Sequence, residues 1–168
     1  MGESKLTRTF RSEAELTDFA ASFAQSLLAA RCHPLIVGLG GDLGSGKTTW
    51  VRAMLRGLGY RQRVPSPTYT LLEQYACAGL TVLHLDLYRL EGDADLEHLG
   101  VRDWLADPAS WMLLEWPERA PHLLAHCDLK IALEDLGNGA RRVGFEAATR
   151  TGILALAQVH PQAINNKR

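Results

Sequence analysis

Residues Gly41-Asp42-Leu43-Gly44-Ser45-Gly46-Lys47-Thr48 lie between an apolar run, Leu35-Ile36-Val37-Gly38-Leu39, and a helix-forming stretch, Lys47 to Leu55. This order constrains the fold more than any other part of the chain. A buried strand, a glycine loop and a helix make the phosphate-binding loop. Glycines let successive backbone N–H groups turn inward, and the helix N-terminus adds partial positive charge where phosphates sit. Asp42, Gly44, Ser45, Gly46, Lys47, Thr48 and Thr49 are therefore the expected nucleotide-binding residues. The Lys47 ammonium reaches the β- and γ-phosphates in such a loop, and the Thr48 hydroxyl can ligate Mg²⁺.

Around this unit the pattern alternates. Ser12 followed by Glu15 resembles a capping box, and Leu16, Phe19, Phe23 and Leu27 recur at helical spacing, which predicts a helix over 12–30 ended by Pro34. Gly57 and Gly59 mark the stop of the helix after the loop. Thr68 to Tyr75 and Leu80 to Leu87 read as strands around a turn at Cys77-Ala78-Gly79. Asp93 to Leu99 reads as a short acidic helix, and Trp111 to Leu114 as a buried strand ending in Glu115. Asp128 to Glu134 and Arg141 to Ala147 flank Gly137-Asn138-Gly139, a hairpin signal, and Gly152 to Val159 reads as a short helix. The expected class is α/β, a P-loop NTPase-like mixed sheet flanked by helices, with a C-terminal β-hairpin. Residues 1–160 are expected to form one P-loop domain, and 161–168 a flexible tail.

A phosphate-binding loop needs a further carboxylate to hold Mg²⁺ or orient water. Two apolar strands end in one: Leu83-His84-Leu85 leads to Asp86, and Trp111-Met112-Leu113-Leu114 leads to Glu115. Ligands of open α/β sheets bind beyond the carboxyl ends of parallel strands, so both acids would meet the loop if the strands run parallel. Lys47, Asp86 and Glu115 are the candidate catalytic residues, and pattern alone stops at a Mg²⁺-dependent nucleoside triphosphate binder.

A formal net charge of -1 argues against a surface built mainly to grip nucleic acid, although it leaves room for a local basic patch. No apolar run approaches the ~18 residues of a membrane span, and Met1-Gly2-Glu3-Ser4-Lys5 lacks a secretion-signal core. Cys32, Cys77 and Cys127 are widely spaced and odd in number, which reads as reduced thiols in a cytoplasmic protein. Neither a membrane nor a DNA partner is expected.

Four blocks together resemble the bacterial TsaE family, also called YjeE, an ATPase needed for threonylcarbamoyladenosine in tRNA. They are the loop from Gly41 to Thr49, Ser66-Pro67-Thr68-Tyr69-Thr70-Leu71, His84-Leu85-Asp86-Leu87-Tyr88-Arg89-Leu90, and Leu114-Glu115-Trp116-Pro117-Glu118. Their order and spacing match over about residues 35–120; the last three blocks are far more specific than the loop itself. The family often has Ala where Ser45 stands and Phe where Leu85 stands; neither difference touches a phosphate or metal role.

The resemblance implies a role for each of these residues. Lys47 would bind phosphate, Thr48 and Glu115 would hold Mg²⁺, and Asp86 would lie near the γ-phosphate. Ser66, Pro67 and Thr68 would form a switch segment sensing that phosphate. It also implies an ATP-driven accessory to a TsaB–TsaD pair, acting on tRNA that reads codons starting with adenine. TsaD performs the transfer, ATP regulates or resets the complex, and direct tRNA contact is left open.

The residues themselves leave rivals. A small-molecule kinase would bring an arginine-bearing lid, and the only adjacent arginines are Arg141-Arg142, in a predicted strand. A GTPase would need a guanine-reading Asn-Lys-x-Asp, whereas Asn166-Lys167 sits at the tail without the Asp. A third rival is a binding module that uses nucleotide only structurally. The sequence favours ATP and hydrolysis over all three.

Overall fold

One seven-stranded sheet organises the chain, seen in a computed structural model that describes residues 4–159. In chain order the strands are Lys5–Phe10 (β1), Leu35–Gly40 (β2), Leu72–Cys77 (β3), Leu80–Asp86 (β4), Ser110–Glu115 (β5), Leu129–Gly137 (β6) and Ala140–Ala147 (β7). Their spatial order is β1-β7-β6-β2-β5-β4-β3. The four strands β6, β2, β5 and β4 run parallel, and β1, β7 and β3 add antiparallel edges. The sheet is therefore mixed, as expected, and the late hairpin is β6–β7 turning at Asn138 and Gly139. The expected tail, 161–168, lies outside the described residues.

Helices cover both faces. Glu13–Ala29 (α1), Lys47–Gly57 (α2) and Arg150–Ala157 (α6) contribute to one apolar cluster, and Asp93–His98 (α3), Val101–Leu105 (α4) and Pro121–Ala125 (α5) to another. Side chains alternate across a strand, and β5 displays this directly. Trp111 and Leu113 join the first cluster, while Met112 and Leu114 join the second. A strand buried on both faces reads as a continuous apolar run, which is why β5 was legible.

Ser12 caps α1, accepting from the Glu15 N–H at 3.1 Å. The Glu15 carboxylate reaches back to the Arg11 N–H at 2.7 Å, one residue earlier than a standard capping box. Below the loop, Phe19, Phe23, Trp50 and Phe145 form an aromatic cluster with centroids 5.9–6.4 Å apart at the two Trp50–Phe contacts made by α1. Trp50 is completely buried there, so the helix that begins at the loop is anchored within its first turn.

The approach of α1 to α2 is close enough that Gly57 has no room for a side chain. A Cβ there would strike the Ala21 backbone carbonyl of α1, which cannot move aside alone. Gly57→Ala is expected to lower stability by about 3 kcal/mol, as overpacking against backbone does. A urea unfolding midpoint unchanged from that of the unaltered protein would contradict this.

One local expectation needs correction, and one short helix was not expected. The strand expected from Thr68 starts only at Leu72; residues 68–71 form a turn in which the Leu71 N–H bonds the Pro67 carbonyl at 2.8 Å. The β-branched Thr68 and Thr70 suit a strand, but tertiary bonding overrides that propensity. The expected acidic helix is followed at once by α4, with Gly100 in left-handed backbone at the junction.

Candidate nucleotide site

Strand register sets the site. Glu115 is level with Leu39 of β2 on one side and with Asp86 of β4 on the other. The carboxyl ends of three parallel strands thus finish together, and the glycine loop leaves β2 at that edge. Both strand-end acids meet the loop there, at the position open α/β sheets use for ligands.

The loop turns on itself, with the Ser45 N–H bonding the Asp42 carbonyl at 3.0 Å, and α2 begins with Gly46 as its cap. Gly46 has φ 109°, a backbone conformation that a side chain would strain. α1 and α6 are capped by the Ser12 and Thr149 hydroxyls, whereas α2 has no side-chain cap. Its first-turn N–H groups are left for an anion.

The Lys47 ammonium donates to the Gly41 and Asp42 carbonyls at 2.6 and 2.8 Å. It lies 4.0 Å from the centre of the Trp116 ring, on a residue whose left-handed backbone (φ 57°) follows directly on Glu115. Burial lowers the Lys47 pKa, and the carboxylates of Glu115, Glu118, Asp86 and Asp42 oppose that shift. The charged form is thus held by neighbours against a dry setting.

The Glu115 carboxylate is buried and takes two bonds at one oxygen: the Thr48 hydroxyl donates to Oε1 at 2.7 Å, and His84 Nε2 lies 2.7 Å from the same atom. His84 is fully buried, and its Nδ1 has no partner among the described residues. Sequence reasoning missed His84. Its signal was there, since a residue two before Asp86 in a strand shares its face.

Asp86 accepts from the Tyr88 N–H at 3.0 Å through Oδ1 and from the Thr68 hydroxyl at 3.4 Å through Oδ2. Thr68 in turn lies 2.8 Å from the Ser66 hydroxyl. Burial raises the Asp86 carboxyl above the usual range, and the Tyr88 N–H is the main opposing influence. The expected switch residues are therefore tied to the carboxylate by side-chain bonds, while Pro67 is buried beside them.

A cleft of about 400 Å³ opens over these groups. Gly44, Gly46, Lys47, Thr48 and Thr49 line its loop side. Ser66, Thr68, Asp86, Glu115 and Trp116 line the other. Asp42, Ser45 and Pro67 do not line it; Asp42 contributes its carbonyl to Lys47, and Ser45 is buried in the loop. Oxygen donors from Thr48 and Glu115, with Asp86 beside them, suit a hard cation. Among the described residues no three His, Cys, Asp or Glu side chains form a metal cage. Mg²⁺ in phosphate chemistry uses one or two carboxylates and the substrate's own oxygens, so the donor set fits it.

Arg141 and Arg142 form no lid. Arg141 donates to the Ser45 carbonyl at 3.0 Å and to Asp135 at 2.9 Å, bracing the loop from the hairpin, and Arg142 pairs with Glu134 at 2.8 Å. Arg61 and Arg63 line a separate cleft with Arg52 and Arg56, which meets the loop at Thr49. No helix among the described residues is long and apolar enough to cross a membrane.

Residues 10–143 match the family model described as threonylcarbamoyl adenosine biosynthesis protein TsaE. The chain belongs to the TsaE family. The matched TsaE span holds the glycine loop, Ser66-Pro67-Thr68 and both strand-end acids, and it stops within β7. Relatives named tRNA threonylcarbamoyladenosine biosynthesis protein TsaE agree. The one from Haemophilus influenzae is 40% identical, covering 88% of this chain and 92% of its own. Those from Rickettsia conorii and Bacillus subtilis are 37% and 33% identical, covering 79% and 67% of this chain and 73% and 69% of their own. The crystal structure of YdiB from Bacillus subtilis shares the fold, with a TM-score of 0.72 at 23% identity over 95% of this chain and 96% of that one.

Proposed function

We propose that this TsaE-family chain is a Mg²⁺-dependent ATPase that serves threonylcarbamoyladenosine formation in tRNA reading codons that start with adenine. One observation carries the nucleotide reading: Lys47, Thr48 and Glu115 converge on the N-terminus of α2, which no side chain among the described residues caps. The names of the family and of its relatives supply the tRNA context. Within that context the chain acts with TsaB and TsaD, regulating or resetting the complex while TsaD performs the transfer.

Phosphates entering the cleft meet the free N–H groups of α2 and the Lys47 ammonium. Lys47 exchanges two neutral carbonyls for anionic oxygens, a stronger type of bond, from a position it already occupies. Thr48 and Glu115 would hold Mg²⁺, which when bound neutralises charge between the β- and γ-phosphates. Asp86 lines the same cleft and would help position metal or the attacking water.

His84 steadies Glu115 from behind. His84→Ala is expected to weaken Mg²⁺–nucleotide binding about tenfold, as loss of a partner behind a metal ligand does, with Mg²⁺-free binding unchanged. Equal affinities with and without Mg²⁺ effects of the substitution would contradict that role. For the function itself the test is phosphate release from Mg²⁺–ATP beside Mg²⁺–GTP. Slow, adenine-preferring hydrolysis is expected; tighter guanine binding would overturn the ATP assignment, and a phosphorylated metabolite would point to a kinase.

A further inference from the structure

Among the described residues two cationic side chains line the nucleotide cleft, and they differ in their partners. Lys47 is bound to its own loop. The other is Arg89, three residues past Asp86. Its side chain forms no ion pair or hydrogen bond among the described residues. Its guanidinium instead lies 4.6 Å from the centre of the Tyr69 ring. Tyr69 is 83% exposed and stands in the 68–71 turn, next to Thr68, which bonds Asp86. A guanidinium on a solvent-exposed ring is weakly held.

The backbone beneath Arg89 is fixed. The Leu87 N–H bonds the Glu115 carbonyl at 3.0 Å, and the Leu90 N–H closes a turn on the Leu87 carbonyl at 3.0 Å. Leu87 and Leu90 are buried on either side of Tyr88 and Arg89. The base of the side chain is thus held at the rim of the cleft while its tip is free to leave Tyr69. That combination suits a group that engages only when charge develops nearby.

We propose that Arg89 is a catalytic residue, an arginine supplied in cis to the transferring phosphoryl group and parked on Tyr69 until the γ-phosphate is bound. The assignment rests on the ATPase reading. In hydrolysis the water oxygen forms a bond to the γ-phosphorus. The bond from that phosphorus to the bridging oxygen breaks, and its electron pair leaves with ADP. Of the water's two protons, one stays on the oxygen now bonded to phosphorus and the other passes to another oxygen of the phosphate product. Arg89 exchanges no proton, because a guanidinium stays charged in proteins. Its planar fork offers paired donors to two oxygens at once, which a lysine ammonium cannot reproduce.

The test compares the unaltered protein with Arg89→Ala, Arg89→Lys and Tyr69→Leu. The readouts are Mg²⁺–ATP affinity, single-turnover phosphate release, and affinity for ADP with aluminium fluoride, which mimics the transferring group. Arg89→Ala is expected to keep ATP affinity within about threefold and to lose about 100-fold or more in rate, with a matching loss for the mimic. Arg89→Lys should not restore either. Tyr69→Leu, which removes the parking place, should keep ATP affinity and raise the rate by up to about threefold.

A rate for Arg89→Ala within about threefold of the unaltered protein overturns the assignment. So does an ATP affinity that falls as far as the rate, since Arg89 would then be a ground-state phosphate ligand. If Tyr69→Leu is as slow as Arg89→Ala, the pair is a structural clamp and the assignment falls. If the unaltered protein releases no phosphate, alone or with its partner proteins, the ATPase reading itself fails and takes this assignment with it.

Discussion

Lys47→Ala is expected to lose about 10³-fold or more in ATP turnover, the scale at which removal of one preorganised charge-stabilising donor is felt. Three effects converge on this residue. Its ammonium lies in the loop that leads into the uncapped start of α2, so phosphate loses a counter-charge there. Its own bonds to the Gly41 and Asp42 carbonyls also hold the loop in shape, and both carbonyls would lose that partner. The Trp116 ring, 4.0 Å away, would cover a void in place of a cation. The fold should survive, because α2 is anchored by Trp50 in the aromatic cluster and not by Lys47. Phosphate release together with thermal unfolding checks both halves; turnover within about tenfold of the unaltered protein would refute the site.

Glu115→Ala is expected to weaken Mg²⁺–nucleotide binding about 100-fold while Mg²⁺-free binding falls only severalfold. The asymmetry follows from charge. A hard cation prefers an ionised carboxylate, and Glu115 is the acid that the Thr48 hydroxyl already touches. The smaller, Mg²⁺-independent loss has a different origin. Removing Glu115 strands the Thr48 hydroxyl and His84 Nε2, and an unsatisfied buried group costs about 1–3 kcal/mol. Glu115→Gln keeps an oxygen for both donors and should recover stability but not the Mg²⁺ dependence. Equal losses with and without Mg²⁺ would move the metal role to Asp86.

Much of the site could be read from the chain because its parts are local. The glycine loop is contiguous, and Asp86 and Glu115 each end an apolar run that reads as a buried strand. What escaped depends on contacts distant in sequence. β1 carries Lys5 and Arg8 and buries only Phe10, so it has little apolar alternation; it is a strand because residues 141–146 pair with it. α4 has five residues, too few to display a helical period. Arg141 read only as part of a strand, and its hold on Ser45, 96 positions earlier, has no local signal. His84 looked like part of an apolar strand, and its role appears only when Glu115 arrives from a neighbouring strand 31 positions on. The 68–71 turn has strand-forming residues, but the Thr68 bond to Asp86 and the Leu71 turn onto Pro67 bend the chain toward the cleft.

The measurement closest to the central claim is ATP hydrolysis by the purified chain, alone and with TsaB and TsaD, beside Lys47→Ala under the same conditions. The account predicts slow release alone, strong stimulation by the two proteins, and neither in the Lys47 variant. Fast release by the isolated chain, or release that persists in Lys47→Ala, would contradict it.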